Sequence, residues 1–121
     1  MILVDTSVWV DHLRDGDAAL AGVLQSGEVL AHPFVVGELA CGDLRARDDI
    51  LGLLRDLPQA QAVSDDEALA FIARHSLMAR GIGYIDVHLL ASAVLSQARL
   101  WTRDKRLAAV ASALGIDAAP G

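Results

Sequence analysis

Four carboxylates, Asp5, Glu38, Asp86 and Asp104, occupy places where a lone negative charge is costly. Glu38 sits inside the helix-like stretch from Phe34 to Cys41. Its neighbours at helical spacing are Phe34, Val35, Cys41 and Gly42, all apolar or small, so Glu38 is expected on the buried face. Burying it costs several kcal/mol, roughly, unless it is paired or binds a cation. Asp86 heads a helical run that continues with Leu89, Leu90, Ala93 and Val94 on its own side. Asp5 ends the apolar run MILV, and Asp104 closely follows the apolar pair in LWTRDKRL.

Carboxylates brought together repel and raise one another's pKa unless something positive joins them. The simplest occupant is Mg²⁺ or Mn²⁺, hard cations that take oxygen ligands, keep several waters and pair with phosphate. Such an ion makes a nucleophile of its water and neutralises a phosphodiester, so hydrolysis needs no Ser-His or His-His pair, and none is evident. His12, His32, His75 and His88 lack metal-type spacing and are expected to be structural, which excludes a zinc site.

Each acid also has a plainer use. Asp5 can serve as a turn or N-cap residue before Thr6-Ser7, Asp104 as an N-cap, and Asp86 as a helix-dipole partner. Glu38 has none beyond a salt bridge to an arginine. The cations around Asp104, namely Arg99, Arg103, Lys105 and Arg106, either supply local positive charge to the site or are ordinary solvated charges. Trp9 and Trp101 could stack a base, but they lie in apolar stretches, where core or dimer packing is expected instead. Tyr84, in a glycine turn near Asp86, is the aromatic expected to touch a substrate.

The elements that must position these acids are short. Ile2 to Val4, Val29 to Ala31, Ala62-Val63 and Leu100 to Thr102 read as strands. Helices are expected over Ser7 to Leu13, Ala18 to Gln25, Phe34 to Cys41, Asp48 to Leu57, Ile85 to Gln97 and Lys105 to Leu114. A capping box, Ser64-Asp65-Asp66-Glu67, opens one more, expected to run to about Arg80. Alternating short strands and helices predict an α/β fold with a mostly parallel sheet and helices on both faces. Ligands of such sheets bind beyond the carboxyl ends of the strands, where Asp5 and Asp104 fall.

The chain of 121 residues suits a single domain, and 54% apolar content supplies a core. A net charge of −6 argues against a protein that coats nucleic acid, though not against an enzyme that holds it through cations and a local basic patch. Thirteen of the acids are Asp and three are Glu, which makes Glu38 stand out. A single cysteine excludes an internal disulfide, and no leader or membrane-spanning run is visible, so a cytoplasmic protein is expected.

The segments MILVDTSVWVDHL, FVVGELACG, GYIDVHLLASA and LWTRDKRL, in this order over nearly the whole chain, resemble the PIN-domain family. They are most similar to its VapC-type branch, the toxin ribonucleases of bacterial toxin–antitoxin pairs. The resemblance implies one PIN-like sandwich over residues 1–121 and an Mg²⁺-dependent endoribonuclease, with Mn²⁺ able to substitute. It assigns Asp5, Glu38, Asp86 and Asp104 as the acidic metal-binding quartet and Thr102 as a supporting hydroxyl, with Thr6 or Ser7 as further candidates. It also implies a homodimer, an RNA substrate and a VapB-type antitoxin as partner. Two other classes fit the composition: a phosphoacceptor receiver-like domain, and a partner-binding module with structural acids. The first needs an acid at a mid-chain strand exit, whereas Asp48, Asp49 and Asp56 fall in a helical pattern.

Overall fold

Three apolar residues, Ile2–Val4, form the central strand β1, with Leu3 and Val4 buried completely. The computed structural model describes residues 1–120. After β1 come α1 (Thr6–Asp15), α2 (Ala18–Gln25), β2 (Val29–Leu30), α3 (Pro33–Ala40), α4 (Arg47–Asp56), α5 (Asp65–His75), α6 (Tyr84–Leu95), β3 (Arg99–Trp101) and α7 (Lys105–Ala113). The three strands are parallel in the order β2-β1-β3. The chain therefore steps one way from β1 to β2 and the other way from β2 to β3. Right-handed crossovers in opposite directions place helices on opposite faces of the sheet and leave a switch point at the carboxyl end of β1.

Register decides what meets there. Val4 pairs with Trp101, so the residues that follow, Asp5 and Thr102, leave the sheet side by side. The Asp5 N–H closes the ladder on the Trp101 carbonyl at 2.9 Å. Helix α6 is apolar nearly all round, and Val87–Ala93 are all buried, between the sheet and the neighbouring helices. That anchoring fixes the N-terminal turn holding Asp86. Trp9 and Trp101 are core residues, as expected.

Two expected boundaries are corrected. Ala62-Val63 is not a strand; the extra edge pairing falls earlier, where Ala31 bridges Gln59. Pro58 ends α4, and its carbonyl accepts from Ala31 N–H at 2.9 Å, which draws this segment onto the sheet edge. Helix α5 stops at His75 rather than near Arg80 because Ser76 turns left-handed, with φ of 53°. That turn drops Leu77 into the core. The capping box that opens α5 is present with both reciprocal bonds. Among the described residues no helix is long and apolar enough to cross a membrane.

Helix α3 is tied to α6 through a buried histidine. His32 caps α3: its Nδ1 accepts from Phe34 N–H at 3.0 Å, which leaves Nε2 to donate to Ser92 Oγ at 3.1 Å. Burial, aided by nearby His88, pushes the His32 pKa down to about 4. A proton on Nδ1 would also break the cap. The unfolded chain therefore takes up a proton near pH 6.5 that the folded chain refuses until about 4, and stability falls with pH across that window. The loss between pH 7 and 4.5 is on the order of 2 kcal/mol. Urea unfolding at these two pH values should show it for the wild type, whereas His32→Asn, which can still cap, should lose this part of the slope.

Candidate functional site

The Asp5 carboxylate is 7% exposed, at the N-cap position of α1, yet it caps nothing. Two hydroxyls donate to its Oδ2 instead: Thr102 Oγ1 at 2.7 Å and Ser7 Oγ at 2.8 Å. Each hydroxyl also accepts a backbone N–H, Thr102 from Asp104 at 3.1 Å and Ser7 from Arg103 at 3.0 Å. The exit of β3 is thus stitched to the exit of β1 through one carboxylate oxygen. Charged acceptors strengthen such bonds, so the pair of hydroxyls offsets much of the cost of burying Asp5.

The other three acids are set around this point. Asp104 is the N-cap of α7, its Oδ1 accepting from Arg106 and Leu107 N–H at 2.9 and 3.0 Å. The plainer use foreseen for it is real, and it occupies one oxygen while leaving Oδ2 outside the cap. Asp86 Oδ2 accepts from Gly83 N–H at 2.9 Å in the first turn of α6. Burial raises the Asp86 pKa above the ordinary carboxylate value, and the negative charges of Asp5 and Asp104 push it further, against the Gly83 bond that favours the ionised form. Glu38 joins from α3, its Oε1 accepting from Thr6 Oγ1 at 3.0 Å, beside Asp5 in sequence.

Glu38 is not on a buried face. Helix α3 buries Val35 and Leu39, and the stripe runs one residue away from the one expected, leaving Glu38 and Phe34 exposed. Spacing alone could not separate two stripes on a helix apolar almost throughout. Tyr84 is held by other contacts. Its hydroxyl donates to Asp65 at 2.7 Å and its ring packs edge-on against His88. Two helical steps of about 100° each turn it away from Asp86. His88 is buried, and the His32 and His88 rings do the structural work expected of them.

The cations near Asp104 separate into three kinds. Arg99 lies at the opposite end of β3, donating to the Asp117 carbonyl at 3.1 Å. Arg103 is neutralised: it pairs with Asp11 at 2.6 Å and with Asp17, and its guanidinium lies 5.6 Å from the Trp101 ring. This clamp holds the β3–α7 turn against α1 and was not legible in the sequence. Lys105 and Arg106 remain exposed, without ion pairs among the described residues.

The donor set is all oxygen, which suits a hard divalent cation and not zinc. Among the described residues no three acidic, histidine or cysteine side chains close into a ready-made cage. An open set of this kind fits Mg²⁺, which usually takes one or two carboxylates and keeps much of its water. Beside Glu38 a cleft of about 460 Å³ runs between α1, α3 and α4, with apolar walls from Val10, Leu13, Leu39, Leu44 and Ile50 and charged residues Arg14, Asp43 and Arg45 along it. Asp48, Asp49 and Asp56 lie on α4, so no acid stands at a mid-chain strand exit to accept a phosphoryl group.

A sequence model of the PIN domain matches residues 2–113. Two relatives, each named Ribonuclease VapC32, come from Mycobacterium tuberculosis strains CDC 1551 / Oshkosh and ATCC 25618 / H37Rv. Each is 49% identical to this chain over 117 residues, covering 96% of the chain and 94% of the relative.

The burial of Asp86, with the charges of Asp5 and Asp104 added to it, has a stability consequence. Its raised pKa means that its favourable contribution is present below the unfolded value and is lost as pH rises through the folded one. At neutral pH the ionised group opposes folding. Asp86→Asn keeps the acceptor for Gly83 N–H and removes the charge. In metal-free buffer at pH 7 it should therefore melt at a higher temperature than the wild type, with the gap closing towards pH 4. A lower melting temperature at pH 7 would show that the ionised Asp86 does not oppose folding.

Proposed function

The chain belongs to the PIN-domain family, in its VapC branch, and on that premise we propose that it is a divalent-metal-dependent endoribonuclease, the toxin of a VapBC-type toxin–antitoxin pair. The observation that carries this reading is the convergence of Asp5, Asp86 and Asp104 from three different elements, near enough for two of the charges to act on the third. Glu38 is bound to the residue beside Asp5 and completes the set.

Asp5, Glu38, Asp86 and Asp104 would hold Mg²⁺, with Mn²⁺ able to substitute. When bound there, the cation would lower the pKa of a water and neutralise charge on the scissile phosphate. The chain's own residues prepare for that. Ser7 and Thr102 fix the Asp5 carboxylate by one oxygen and leave the other free of them. The α7 cap holds Asp104 in the same way, by Oδ1 alone. Rigid presentation of ligands is worth as much as their identity, because a site held loosely loses affinity and rate together. Glu38, exposed at the rim, is placed to orient an incoming water or the RNA strand.

The partners in this reading are RNA, a second copy of the chain as homodimer, and a VapB-type antitoxin, all in the cytoplasm. The cleft beside Glu38, with apolar walls and a charged rim of Arg14, Asp43 and Arg45, supports an antitoxin contact, since a segment seated there would reach Glu38.

Purified protein free of antitoxin should cut RNA in Mg²⁺ or Mn²⁺ and stop in EDTA. Asp5→Asn and Glu38→Gln should each cut the rate by more than the roughly 10–100-fold that losing an outer supporting group costs. Thr102→Val should fall within that smaller range. Undiminished cleavage in EDTA would remove the metal from the mechanism, and a variant at wild-type rate would remove its residue from the site.

A further inference from the structure

We infer that Arg106 binds a backbone phosphate of the RNA, from a seat built for it on Gly81. The inference rests on the nuclease reading above. It starts from an arginine at the wrong end of a helix. Arg106 and Lys105 occupy the first turn of α7, which holds no acid, although cations there oppose the helix dipole. Arg106 has no ion pair among the described residues to offset this. Its own N–H is held by Asp104 Oδ1 at 2.9 Å, so the backbone from which the side chain departs is tied to the acidic cluster.

The side chain, though exposed, is laid back over the protein. It crosses from α7 to the loop that precedes α6 and lies on Gly81. A Cβ placed on Gly81 would meet Arg106 Cδ at 2.8 Å, Nη1 at 3.0 Å and Nε at 3.3 Å. Gly81 has φ of 78°, so glycine suits both the turn and the contact. The long side chain is thereby laid between the element carrying Asp104 and the loop leading to Asp86. A guanidinium with part of its entropy already lost, unpaired and beside an anionic cluster, suits a ligand that brings its own negative charge. An RNA phosphate supplies that charge and accepts two parallel N–H bonds from the guanidinium fork. Arg103 cannot take this part, because Asp11 and Asp17 occupy it.

The test measures binding of a short fluorescein-labelled single-stranded RNA by anisotropy, in Mg²⁺ and over a range of salt. The Glu38→Gln protein serves as parent so that the RNA stays intact. Adding Arg106→Gln should weaken binding roughly tenfold, the lower range for losing a charged hydrogen-bond partner. It should also lower the slope of log K against log salt by about 0.7, the value for one phosphate contact on a single strand. Arg106→Lys should restore the slope. Arg99→Gln, at the far end of β3, should leave slope and affinity alone. Gly81→Ala should weaken binding when Arg106 is present and add nothing beside Arg106→Gln, which separates the seat from general loop strain. A merely structural Arg106 would leave the salt slope at the parent value, and that result overturns the inference while the nuclease reading stands. Wild-type protein that neither binds nor cuts the RNA in Mg²⁺ overturns both.

Discussion

The Asp5 carboxylate is the group around which the rest of this structure is arranged. It is nearly buried, at the exit of the central strand, and its oxygens need hydrogen-bond donors there. The solution is two hydroxyls on one oxygen, from Ser7 on α1 and Thr102 after β3. Each hydroxyl has a single proton and gives it to Asp5, so each is free to accept a backbone N–H from the β3–α7 turn. One carboxylate thus sets the path of the turn that ends in Asp104. Removing its charge would loosen both the strand exits and the acid that caps α7.

The surrounding fold serves this point with little material. Strands of two or three residues are enough because all three are parallel and in register, so that β1 and β3 end together. The core under them is dense where it matters: α6 is buried along most of its length and presents Asp86 from its first turn. Glu38 reaches the site from α3, and α3 is held to α6 by the His32–Ser92 bond. The Arg103 clamp fastens the turn from outside. Its acid partner Asp17 caps α2, and both the guanidinium bond and that cap hold its pKa below the usual carboxylate range. The charged groups divide into those that neutralise one another to hold the turn and those left unpaired around the opening.

Much of this was legible in the residues. MILVD reads as a strand with an acid at its exit, GYIDVHLLASA as a buried helix headed by an acid, and both are found so. The local signals were strong because period, caps and glycine turns agreed. Glu38 was expected on a buried face and is exposed: α3 is apolar on nearly every side, so its buried stripe could not be chosen without the elements packed against it. The end of α5 at Ser76 was hidden because Leu77 leaves the helix for the core, a tertiary preference with no local mark. Arg103 looked like free positive charge, since its partners Asp11 and Asp17 lie far back in the chain. Arg106 looked no different from its neighbours until Gly81 was found beneath it.

The central claim is that acids from four separate elements make one divalent-cation site, organised at Asp5. Electron paramagnetic resonance of Mn²⁺ measures it directly, because the free aquo ion gives a sharp signal that is lost on binding. Titrating wild type, Asp5→Asn and Glu38→Gln, each shown to be folded by thermal melting, compares residues contributed by different elements. The account predicts binding by the wild type and a loss of affinity in both variants at least equal to the roughly 10–100-fold cost of an outer-shell defect. Mn²⁺ affinity unchanged by Asp5→Asn would contradict it, and would leave Asp5 as a buried turn residue with no part in holding metal.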